Sequence, residues 1–95
     1  MNLKPLPQRI LDRVVLAAVR VPARPGEWAD QCFVVIEARS LYDAPLYSVY
    51  HAQHTGKGWE PENGSHDLTW PGALDTLAER VRQHPRRSWP AEPKD

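Results

Sequence analysis

DRVVLAAVRV, residues 12–21, decides the architecture. Two periodicities compete in it. Val14, Val15, Val19 and Val21 are β-branched and favour a strand. Ile10, Val14, Ala17 and Val21 recur at helical spacing, so a helix starting at Pro7 is the alternative. The strand is the preferred reading, although residues 6–20 admit both. The choice settles whether a second face of the sheet is covered by this chain.

Outward from this segment the pattern is simpler. MNLKPLPQR, residues 1–9, reads as a proline-punctuated extended arm, and PARPGEW, residues 22–28, as a loop rich in breakers. QCFVVIEARS, residues 31–40, is the clearest strand. It sets Phe33, Val35 and Glu37 on one face and Cys32, Val34, Ile36 and Ala38 on the other. LYDAP, residues 41–45, supplies turn chemistry through Asp43 and Pro45. LYSVYHAQH, residues 46–54, alternates again, with Tyr47, Val49 and His51 opposite Leu46, Ser48, Tyr50 and Ala52.

Residues 55–70, TGKGWEPENGSHDLTW, hold glycines, acids, a histidine and two tryptophans. Thr55–Gly58 lacks the spacing of a phosphate loop and the Ser or Thr after its lysine, so it reads as a polar loop. Pro61 interrupts a strand, Asn63-Gly64 signals a two-residue turn, and residues 66–69 form at most a short returning strand. Thr69 suits an N-cap, and Pro71 suits the first turn of a helix. Leu74, Leu77, Ala78 and Val81 form its apolar stripe, acids come early and arginines late, and Pro85 ends it. The expected fold is α+β: a three- or four-stranded antiparallel meander with one C-terminal helix on one face, β-β-β-(β)-α. Its organisation is an arm over 1–9, one domain over 10–84, and a proline-rich tail over 85–95.

Ninety-five residues suffice for one modest core. Twelve basic residues balance twelve acidic ones, which lacks the cationic excess typical of nucleic-acid binders. A single cysteine, Cys32, cannot form an internal disulfide and reads as a small buried hydrophobe on a strand. No run approaches the roughly 20 apolar residues of a membrane span, and the N-terminus has no signal-peptide core, so a cytoplasmic protein is expected.

The chemistry-bearing residues are scattered. His51 and His54, three apart, diverge on a strand, and neither His66, His84 nor Cys32 completes a spaced ligand set, so no metal or other cofactor is expected. Ser48, Ser65, Cys32, His51, His66 and Asp67 supply the types a nucleophilic site needs, with no signature around them. Glu60 and Glu62 flank Pro61 and read as turn acids. The expectation is a non-enzymatic accessory protein, such as an adaptor, regulator or inhibitor, that binds another protein and can self-associate. Its contact residues are Phe33, Val35, Tyr47 and Val49 on a sheet face that must be covered, together with Trp59 and Trp89. Trp28, Trp59 and Trp70 are each candidates for core or interface. The alternative is a DNA- or RNA-binding module that uses the sheet face, with Tyr42, Tyr47, Tyr50 and Trp59 as stacking platforms, or the arginines Arg80, Arg82, Arg86 and Arg87.

Overall fold

A computed structural model describes residues 4–23, 30–41 and 44–88, with Leu41 and residues 85–88 described by backbone alone. Residues 12–21 resolve as strand. The elements are β1 (Arg9–Ile10), β2 (Arg13–Val21), β3 (Gln31–Leu41), β4 (Ala44–His54), β5 (Trp59–Leu68) and α1 (Trp70–Ser88). All strand pairs are antiparallel and follow chain order, β1-β2-β3-β4-β5. The α+β class and the meander stand, but the strands number five, not three or four.

β1 lies outside the expected meander, and β5 extends well beyond the short returning strand expected at residues 66–69. β5 runs through Pro61 and Asn63-Gly64 as one irregular edge strand. Its register against β4 slips twice, from His51↔Glu62 to Val49↔Ser65 and from there to Tyr47↔Leu68. Asn63 (φ 53°) and Asp67 (φ 59°) sit at the two slips, so Asn63 serves a bulge and not a hairpin turn. An edge strand tolerates Pro61, because one of its two sides carries no ladder. Gly64 is needed for close approach: a Cβ there would lie 2.5 Å from the Tyr50 ring and 2.7 Å from His66. The hairpin between β4 and β5 is instead Thr55–Gly58, closed by a bond from Thr55 N to the Gly58 carbonyl at 3.2 Å, with Gly56 at φ 93°.

β1 forms because Leu11 and Asp12 both take positive φ, 51° and 62°, and fold Ile10 back onto Arg13. That is the geometry of a primed two-residue turn, which asparagine and glycine favour and leucine does not. Leu11 recovers little from packing, since it is 58% exposed. Replacing Leu11-Asp12 with Asn-Gly is therefore expected to stabilise the fold by about 1 kcal/mol. The melting temperature should rise by roughly 4–8 °C, as thermal unfolding followed by circular dichroism will show.

α1 starts where expected. Thr69 caps it, its Oγ1 accepting from Gly72 N at 3.2 Å and its carbonyl from Ala73 N at 2.7 Å. Three details differ from the expectation. The first turn carries no acid, since Asp75 lies a turn later. The buried stripe is Ala73, Leu77 and Val81 at i, i+4 spacing, ending on His84, while Leu74 and Ala78 face outward. The helix also continues through Pro85 to Ser88, because a proline near a helix end removes only one backbone bond.

Two apolar layers result. α1 lies on the sheet face of Val21, Phe33, Val35 and Val49, burying them against Ala73 and Leu77. The opposite face holds Cys32, Val34, Ile36 and Ala52 with Ile10. These side chains are mostly small, and no second helix is needed to cover them. The N-terminal arm does so. Pro7 and Ile10 are buried, Trp59 Nε1 donates to the Pro5 carbonyl at 3.1 Å, and Val15 N donates to the Gln8 carbonyl at 2.9 Å. Lys4 N and Arg20 Nη1 both reach Asp30 Oδ1, at 3.1 and 2.9 Å, and the Arg20 guanidinium also donates to the Lys4 carbonyl. Among the described residues no helix is long and apolar enough to cross a membrane.

Candidate functional site

Two places combine access with unusual composition. The first is a polar depression of about 190 Å³ between α1 and the β4–β5 ladder, lined by Phe33, His51, Glu62, Asn63, Arg80, Gln83 and His84. β4 aims His51 under the helix, and the bulge at Asn63 brings Glu62 beside it. His51 Nδ1 lies 2.9 Å from Glu62 Oε1, and Nε2 lies 2.9 Å from the buried Gln31 side-chain amide. Burial lowers the His51 pKa; Glu62 acts to raise it, and His84 and Arg80 add to the lowering. The ring is therefore neutral near pH 7.

Those groups are already engaged with the protein. Both His51 nitrogens have partners. His84 Nε2 donates to the Pro22 carbonyl at 2.7 Å, and Arg80 donates to the carbonyls of Val49 and Asn63 while its guanidinium sits 4.9 Å from the Phe33 ring centre. The His51 and His84 rings are 5.5 Å apart and both flank Phe33. The cluster ties the C-terminal half of α1 to three strands.

The other candidate chemistry also disperses. Cys32 is fully buried, and burial pushes its thiol up to about 11. Ser48 is fully buried with Oγ 3.0 Å from His66 Nδ1, while Asp67 pairs with Arg39 at 2.9 Å instead of orienting that imidazole. Ser65 stands opposite Val49. Glu60 accepts from Thr55 and Glu62 pairs with His51, so the two acids are not a working pair. His54 accepts from Gly56 N at 3.1 Å and packs on Trp59. Among the described residues no three His, Cys, Asp or Glu side chains are grouped to hold a metal.

The expected contact residues are placed differently from the expectation. Phe33, Val35 and Val49 lie beneath α1, and Tyr47 packs beside them with Trp70 at 5.0 Å. The helix takes this face because its larger side chains need a full layer above them. Trp59 is half-buried on the opposite face and tied to the arm. Trp70 is partly exposed at the start of α1. Arg82 pairs with Glu79. The side chains of Arg86 and Arg87, and the residues Trp28, Tyr42, Asp43 and Trp89, lie outside the described residues.

The second place is the outer side of β2. β1 pairs only with Arg13 and Val14, and one further bond joins Val15 to Gln8. From Leu16 to Val21, no described residue forms a backbone ladder on that edge. An open groove of about 670 Å³ runs between the arm, Leu6–Arg9, and Val14–Ala18. Leu6, Val14 and Leu16 line it and are exposed, Val14 at 56%, and Leu11 and Val19 are exposed nearby along the chain. From Val14 to Val19 the strand has no charge and no proline, the devices that usually protect an edge. That uncharged run was visible in the sequence; its position at an edge was not. No known family, curated protein or solved structure matches this chain.

Proposed function

We propose that this chain is a non-enzymatic cytoplasmic accessory protein, an adaptor, regulator or inhibitor, that binds another protein along the outer side of β2. The observation that carries this reading is the uncharged stretch Leu16–Val19, whose outer side meets no ladder partner among the described residues, near the exposed Leu11 and Val14. An edge of this kind accepts an extended segment, whose backbone completes the ladder while its side chains meet the apolar patch. Of the arginines the nucleic-acid alternative would use, Arg82 is paired with a carboxylate and Arg80 is turned into the fold, which favours the protein-binding reading.

The test is affinity capture from the source cells with the wild-type protein and with Leu16→Lys. The solvated lysine leaves the folded core intact but opposes strand addition. The captured protein should survive nuclease and moderate salt and drop at least about tenfold with the variant, matching the loss of one well-placed interface contact. Capture that vanishes with nuclease, or that ignores Leu16→Lys, would sink the proposal.

A further inference from the structure

We infer that two copies of this protein exchange their N-terminal arms. The hinge is the turn Leu11–Asp12, and each arm takes the same place on the other copy's sheet that it holds here on its own.

Three features lead there. First, the arm is joined to the rest of the fold only through that two-residue turn, and apart from a bond from the Arg9 guanidinium to the Asp12 carbonyl at 2.8 Å, the contacts that seat it among the described residues are made with β2–β5 or Asp30. Those contacts are the register Arg9↔Val14 and Ile10↔Arg13, the bond from Val15 N to Gln8, the bond from Trp59 to Pro5, and the Arg20–Lys4–Asp30 cluster. All of them are satisfied equally well by the arm of a second copy. The closed monomer and the exchanged dimer therefore differ chiefly at the hinge.

Second, the hinge is the strained element. Leu11 holds φ 51° without a packing reward, and opening the turn releases that conformation in both copies at once. Short hinges under strain are the recurrent cause of such exchange. Third, the surface around the hinge suits a two-fold contact. The register of β1 on β2, carried one step further, sets Leu11 beside Asp12 of the second copy. The exposed Leu11 of each copy thereby lies diagonally beside the exposed Val14 of the other, one such pair on each face of the sheet. Pro5 and Pro7 stiffen the arm, so less freedom is lost when it docks in trans.

The inference goes beyond partner binding at the β2 edge and is separable from it. The experiment is sedimentation velocity on the full chain, refolded over a range of concentrations, with Cys32 labelling by a thiol reagent as a report on whether the arm is seated. Wild type should show a monomer–dimer mixture that shifts to dimer when refolded concentrated. Leu11→Asn with Asp12→Gly should weaken the dimer more than about tenfold by relaxing the closed turn. Leu11→Pro, whose φ cannot become positive, should be dimeric throughout with Cys32 still protected. Leu16→Lys should leave the dimer unchanged, which separates arm exchange from edge-to-edge pairing. A wild type that stays monomeric at every concentration overturns the inference. So does a dimer indifferent to the Asn-Gly turn, or a monomeric Leu11→Pro with a reactive Cys32.

Discussion

Phe33→Ala is expected to cost about 3–5 kcal/mol, the range for emptying a buried phenylalanine site. A domain of 95 residues has roughly 5–14 kcal/mol in total, so this one change removes about a fifth of it or more. The melting temperature should fall by at least about 12 °C. Phe33 stands at the centre of the helix-facing layer, only 4% exposed. Its ring is met by His51 at 5.1 Å, by the edge of His84 at 5.6 Å and by the Arg80 guanidinium at 4.9 Å. No neighbour is placed to collapse into the gap, because each of these groups is held by its own hydrogen bond. Phe33→Leu keeps most of the volume and loses the ring contacts, so it should cost no more than about 1–2 kcal/mol. Urea denaturation of the two variants measures the difference. Near-equal losses would mean that the polar groups around the ring, and not its volume, hold α1 in place.

Phe33 also shows what the sequence could and could not convey. The alternation of residues 31–40 placed Phe33 and Val35 on one face and Cys32, Val34 and Ile36 on the other, and both sets are buried as pairs of opposite layers. The cap at Thr69 was equally legible, because an N-cap is a local arrangement of a hydroxyl and two backbone groups. Which face the helix would choose was not legible. Periodicity within one strand does not rank its two faces, and the ranking follows from side-chain bulk summed over three strands. β5 was hidden because Pro61 and Asn63-Gly64 are breakers only where both edges of a strand must pair. β1 was hidden because its turn uses Leu11, a residue that local preference argues against. The polar cluster escaped for a different reason: Gln31, His51, Glu62 and His84 come from four elements, and only the bulge at Asn63 sets Glu62 beside His51.

That cluster makes stability depend on pH through His51. Its pKa in the fold lies below the ordinary 6.5, with burial as the largest cause. The unfolded chain therefore binds a proton at this site at a higher pH than the folded protein does. Above about pH 6.5 neither state is protonated there, and the neutral ring contributes fully. As pH falls below 6.5 the unfolded state takes up the proton first, and stability declines until the folded-state pKa is passed. Protonation in the fold also sets a cation beside Arg80, whose guanidinium already adds to the lowering. The expected result is a drop in the urea midpoint between pH 7 and pH 5 that His51→Gln largely removes, since a carboxamide can still reach Glu62 and Gln31 without titrating. Gln31→Leu tests the other side of the ring. It removes the buried side-chain amide that His51 Nε2 meets and should cost about 1–3 kcal/mol at pH 7. If His51→Gln keeps the full wild-type slope between pH 7 and pH 5, the titrating group lies elsewhere and His51 serves only as packing against Phe33.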